Sequence, residues 1–84
     1  MKKIIAFYSF WDEPSKITVL KVLKHLKRNN IVNCELIDVD KNLDLTKKYK
    51  VKNLPTVIFL KDEIEYDRKI GLLAEFDILK CYNK

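Results

Sequence analysis

The sequence predicts an α/β fold, a mixed four-stranded sheet built in the order βαβαββα. Three observations carry that prediction. An apolar run, an amphipathic helical stretch and a second apolar run fall within residues 3–39, which makes a βαβ unit whose crossover is right-handed in about 98% of cases. A β-branched run over residues 56–60, a polar turn and an alternating segment make a hairpin. Beyond Gly71, helical spacing returns and continues to the C-terminus.

The elements follow in order. Residues 3–10 form a near-continuous apolar and aromatic run, the pattern of a central strand buried on both faces. Its two preceding lysines imitate a secretory signal. However, Tyr8 and Ser9 interrupt the run, Asp12-Glu13 follow at once, and no small-x-small cleavage site appears. Asp12-Glu13-Pro14-Ser15 then reads as a helix start, with acidic residues at the positive end of the dipole and proline in the first turn. The helix extends to about Arg28, with Val19, Leu20, Val22, Leu23 and Leu26 on one face and Lys21, Lys24, His25 and Arg28 opposite. Asn29-Asn30 end it. Residues 34–39 form a second strand closing at Asp40, and residues 43–49 a short helix with Leu45 and Tyr49 on one face. The hairpin turns at residues 61–63 into an outer strand alternating through Ile64, Tyr66, Arg68 and Ile70. The last helix repeats Leu72, Phe76 and Leu79.

Composition narrows the chemistry. The 84 residues carry 17 basic and 12 acidic side chains, for a net charge of +5. A chain of this size buries about 60 to 65% of its unfolded surface, so residues 1–84 are expected to form a single domain around one modest core. One glycine excludes phosphate-wrapping loops, which need several. One histidine, His25, excludes most metal and triad chemistry and reads as a surface residue. Cys34 and Cys81 are too far apart for a CxxC or a zinc knuckle. No stretch approaches the roughly 18 apolar residues of a membrane span, and free cysteines fit a reducing compartment, so a cytoplasmic location is expected.

Trp11-Asp12-Glu13-Pro14-Ser15-Lys16, Asp38-Val39-Asp40, Leu54-Pro55-Thr56 and Gly71, in that order, resemble the landmarks of the thioredoxin family over nearly the whole chain. The resemblance implies a three-layer sandwich, a cis proline at Pro55 and a minimal form without the family's extra N-terminal strand and helix. It also marks what has changed. Where the family has Trp-Cys-Gly-Pro-Cys, this chain has Trp-Asp-Glu-Pro-Ser, and Ala6 aligns with the family's buried proton-accepting aspartate. Disulfide exchange needs a thiolate attacker and a second thiol to resolve the mixed disulfide. Asp12 and Ser15 supply neither. An engineered cysteine-to-serine trap accounts for Ser15 but not for Asp12 or Ala6.

The functional expectation follows from these departures. The resemblance implies a non-catalytic protein that holds a protein or peptide segment in the groove of Trp11, Leu54, Pro55 and Thr56, beside the redox-motif equivalents Trp11, Asp12, Glu13, Pro14 and Ser15. The apolar floor around Trp11 and Pro55 is expected to be exposed, and strand addition is the binding mode. Asp12 reads as an N-cap; inheritance of the thiolate's anion-stabilising position is the functional alternative. Trp11 is open between a partner contact and a cover for the core edge. Cys34 is expected to be a buried, inert thiol and Cys81 an exposed one. No metal, cofactor or membrane is implied, and the enzyme question leans to no. The alternatives are a thiol-disulfide oxidoreductase or redox-related homologue, and a basic nucleic-acid-binding protein. For the latter, the densest basic run, residues 47–52, contains no arginine, the residue on which base readout leans. A solvated helix end is therefore the favoured reading of that run.

Overall fold

Side chains along β1 (Lys2–Tyr8) alternate between two cores, and this places the strand inside the sheet. The computed structural model describes residues 1–84. Ile4 and Ala6 face one side and Ile5 and Phe7 the other, all four at most 4% exposed. β1 pairs in parallel with β2 (Cys34–Asp38) and antiparallel with β3 (Thr56–Lys61), which pairs antiparallel with β4 (Ile64–Ile70). The strand order is β2-β1-β3-β4. This is the mixed four-stranded sheet of the predicted α/β class.

Two helices cover one face and one covers the other. Helix α1, residues 13–28, and α3 (Glu75–Tyr82) lie over Ile4, Ala6, Cys34, Val57 and Phe59. The short α2 (Leu43–Lys48) and the segment after it cover Ile5, Phe7, Ile37, Ile58 and Leu60, with the Tyr49 ring 6.0 Å from that of Phe7. Full burial of each large apolar side chain stabilises by about 1.5–3 kcal/mol, so these two layers decide the fold.

Helix α1 departs from ideal geometry. It opens with an α-turn at Glu13–Ser15, widens to a π-helix over Lys16–Leu23 and returns to α over Lys24–Arg28. Thr18 is buried together with Val19, Leu23 and Leu26, while Leu20 and Val22 are only partly buried. Thr18 shares an i, i+4, i+8 row with Val22 and Leu26 and is a core contact that an apolar pattern omits because its side chain is polar. Its Oγ1 accepts a hydrogen bond from the Leu73 N–H at 3.1 Å.

Helix ends and turns follow local chemistry. Asn30, at φ 57°, closes α1, with the Ile31 N–H donating to the Leu26 carbonyl at 2.9 Å. Lys50, at φ 53°, closes α2 in the same way through Val51 and Thr46. The hairpin turns on two residues, Asp62 and Glu63, both left-handed, the type I′ geometry that matches strand twist. The last helix differs from expectation. It begins at Glu75, with the Asp77 carboxylate accepting from the Ala74 N–H at 3.1 Å. Leu72 precedes it and is exposed, Phe76 lies within its first turn on the outer face, and the buried face is Ile78 and Cys81. On β4 a register shift at Phe59/Leu60 turns Tyr66 into the core and leaves Ile64 and Ile70 exposed.

Glu63 bears a side chain at φ 70°, where glycine has no steric cost. Glu63→Gly is expected to raise stability by about 0.5–1 kcal/mol, measured as a higher urea midpoint with unchanged slope.

Candidate functional site

The site forms where β1 ends and α1 begins. Ser9 and Ser15 are both fully buried, and the Ser15 hydroxyl joins them. Its oxygen accepts from the Ser9 N–H at 3.1 Å, and its single proton lies between the Asp12 carbonyl at 2.9 Å and the Ser9 carbonyl at 3.2 Å. The Asp12 carboxylate caps the helix, accepting from the Ser15 N–H at 3.0 Å. Asp12 thus has the N-cap role, and Pro14 sits in the first turn where a missing N–H costs nothing. Glu13 pairs with Lys16 at 2.5 Å.

Trp11 is 71% exposed yet fixed in orientation. Its indole Nε1–H donates to Asp40 Oδ2 at 3.0 Å, and the Ser9 hydroxyl donates to the same oxygen at 2.8 Å. Asp40 is itself held by Asp38, whose Oδ1 accepts the Asp40 N–H at 2.9 Å. Ser9 and the Asp40 side chain complete this network; Asp40 entered the sequence reading only as a strand-end landmark, and Ser9 not as a site residue. The available signal was a serine inside an apolar strand and a second carboxylate two residues after the first.

On the facing side the Leu54–Pro55 peptide is cis. Pro55 and Thr56 are buried, and the Thr56 Oγ1–H donates to the Asn53 carbonyl at 2.6 Å. This corrects the expected open floor. Thr56, at the start of β3, pairs on both sides, with Phe7 and with Ile70, and neither its side chain nor that of Pro55 is left open to solvent. What remains accessible is Trp11, the half-buried Leu54 and backbone. Gly71 donates its N–H to the Pro55 carbonyl at 3.0 Å, whereas the N–H and C=O of Leu54 bond to nothing in the chain.

Neither cysteine belongs to this site. Cys34 lies in β2 and is buried, and burial pushes its thiol up from the ordinary 9.0 to about 12. Cys81 is 2% exposed, which corrects the expected exposure. It lies on the inward face of α3, with Sγ donating to Asp67 Oδ2 at 3.0 Å. Burial first and the Asp67 carboxylate second push this thiol up to about 11. Asp67 is held far below the usual carboxylate range by hydrogen bonds from Cys81, Lys84 and the Arg68 N–H. Ala6 leaves no acid beneath the turn, and no buried side-chain nitrogen or oxygen lacks a partner. No group of three or more metal-binding side chains exists, and no helix is long and apolar enough to cross a membrane.

No family model matches the chain. It is 30% identical over 83 residues to the thioredoxin of Mycoplasma pneumoniae, covering 99% of this chain and 81% of that protein. It is 36% identical over 82 residues to thioredoxin-1 of Drosophila yakuba, covering 95% and 72% respectively. Among solved structures it superposes on thioredoxin-2 of a malaria parasite, described as a component of that parasite's protein secretion machinery. That match has a TM-score of 0.87 at 25% identity, over 99% of this chain and 82% of the other.

Two outcomes follow from the geometry. Ser15→Ala strands the buried Ser9 N–H and is expected to cost about 1–3 kcal/mol, whereas Asp12→Asn keeps a cap acceptor and is expected to cost under about 0.5 kcal/mol. Urea denaturation distinguishes them. Both thiols titrate higher in the folded chain, which holds protons that the unfolded chain releases. Their contribution is complete below about pH 9 and is lost as pH rises towards about 11–12. The Cys34→Ala, Cys81→Ala variant is therefore expected to lose less stability than the parent between about pH 9 and pH 11.

Proposed function

The chain belongs to the thioredoxin family, and from that premise we propose that it is a non-catalytic member that holds an extended segment of a partner protein at Leu54. The observation that carries the proposal is the unpaired N–H and C=O of the half-buried Leu54, two residues before Thr56, whose pairing with Phe7 sets it at the end of β1 from which the turn of the exposed and oriented Trp11 departs. A strand added at an exposed edge takes its affinity from such backbone groups, and side chains refine the choice of partner. Asp12 and Ser15 agree with this reading. One carboxylate caps the helix and one hydroxyl staples the turn, and neither is a nucleophile towards sulfur.

The name carried by its relatives favours a second reading, thiol-disulfide exchange. That chemistry needs an attacking thiolate, and the two thiols here are buried and remote from the turn. Insulin reduction with dithiothreitol separates the readings. The chain is expected to add nothing to the rate of dithiothreitol alone, and acceleration that disappears in Cys81→Ser establishes the redox reading instead.

Binding is tested directly because Trp11 is the chain's one tryptophan and reports on the site. A panel of extended apolar peptides is expected to shift its fluorescence. N-methylating the peptide amide that faces the Leu54 carbonyl is expected to weaken binding by about tenfold or more, while methylating the next amide is tolerated. Equal tolerance at every amide contradicts strand addition.

A further inference from the structure

We propose that the solvent-facing side of α1 is a docking surface for the phosphate backbone of a nucleic acid, held without regard to sequence. Between Glu13 and Glu35 the chain has no acidic residue and five cations, Lys16, Lys21, Lys24, Lys27 and Arg28. Lys16 pairs with Glu13. The other four are exposed, and none of them takes part in the chain's ion pairs. Spacings of three and four residues set Lys21, Lys24 and Arg28 in one row opposite the buried Val19, Leu23 and Leu26, with Lys27 beside that row. Lys27 also lines an open hollow of about 680 Å³ whose walls include Lys2, Asn30 and Asn33 and no carboxylate side chain. The Lys2 ammonium donates to the Lys84 carbonyl, a neutral partner that leaves its charge in place.

The density of these charges points to the occupant. At a helical rise of about 1.5 Å per residue, Lys21 to Arg28 span about 10 Å. One strand of a duplex carries about three phosphates in that length, one for roughly each 3.4 Å of axis. An extended acidic peptide turns alternate side chains away, which leaves about one carboxylate per 6.6 Å on the near face, half that density. A lipid surface calls for apolar side chains beside the basic ones. Here Val22, Leu23 and Leu26 pack towards the sheet, and every exposed residue from Lys21 to Asn30 is polar. One arginine among four cations suits contact with phosphates, which position a protein on the backbone, rather than bidentate readout of base edges.

The test titrates a short fluorescein-labelled duplex of mixed sequence with the chain, followed by anisotropy over a series of salt concentrations. The logarithm of the association constant is expected to fall against the logarithm of salt with a slope of about −3, the value for three to four neutralised phosphates. The variant Lys21→Gln, Lys24→Gln, Lys27→Gln, Arg28→Gln, checked for folding by circular dichroism, is expected to lose about tenfold or more in affinity at low salt and to flatten the slope to about −1 or less. Lys24→Gln alone is expected to reduce the slope by about 1. The variant Lys47→Gln, Lys48→Gln, Lys50→Gln, Lys52→Gln removes the same charge from the α2 side of the sheet and is expected to change affinity by less than about threefold. Equal losses in the two fourfold variants reduce the attraction to net charge and overturn the assignment to α1. A duplex that does not bind at low salt overturns it outright. A poly-glutamate peptide, or a vesicle containing phosphatidylserine, that binds more tightly than the duplex through the same four residues makes the partner an acidic protein or a membrane, and overturns the proposal as well.

Discussion

The Ser15 hydroxyl ties the end of the central strand to the start of the long helix, and the geometry of the whole site rests on that tie. A neutral hydrogen bond contributes only about 0.5–1.5 kcal/mol net, but an unsatisfied buried N–H costs about 1–3 kcal/mol. The turn from Ser9 to Ser15 is therefore held less by what the bonds add than by what their absence costs. The same turn fixes Trp11 through Asp40, because Ser9 donates to the carboxylate oxygen that also receives the indole. The apolar layers on the two faces of β1 set the fold, and these few polar contacts set what the fold presents.

Much of this was legible in the sequence. The apolar runs at residues 3–10, 34–39 and 56–60 located the strands, because a strand buried on both faces tolerates few polar residues. Asp12 declared itself as a helix cap, and Asn30 as a helix stop. Other features depend on tertiary context. Thr18 shares a helical row with Val22 and Leu26, yet only the assembled core shows that its side chain is buried and accepts from the Leu73 N–H. Leu72 and Phe76 match helical spacing with Leu79, yet the helix begins only at Glu75, so the apolar pattern ran past the backbone that was to carry it. The expected open floor at Pro55 and Thr56 failed for a related reason. Motif positions mark Pro55 and Thr56, but how deeply they are buried is a property of the assembled sheet, in which Thr56 has a strand on either side.

The cysteines illustrate how environment decides chemistry. Two free thiols invite a redox interpretation, yet Cys34 sits in a desolvated strand and Cys81 donates to a carboxylate, and both surroundings favour the protonated form. Reactive cysteines lie at positive helix ends or beside cations. In this chain the helix end that meets that description carries Asp12, whose negative charge already satisfies the dipole.

The central claim is that the Leu54 backbone is an open hydrogen-bonding edge used to hold another chain. Amide hydrogen exchange at Leu54, with and without a peptide that shifts Trp11 fluorescence, tests it most directly. The account predicts rapid exchange in the free protein and strong protection in the complex, with the neighbouring β3 amides slow in both. A Leu54 amide already protected in the free protein, or one that stays unprotected when peptide is bound, contradicts it.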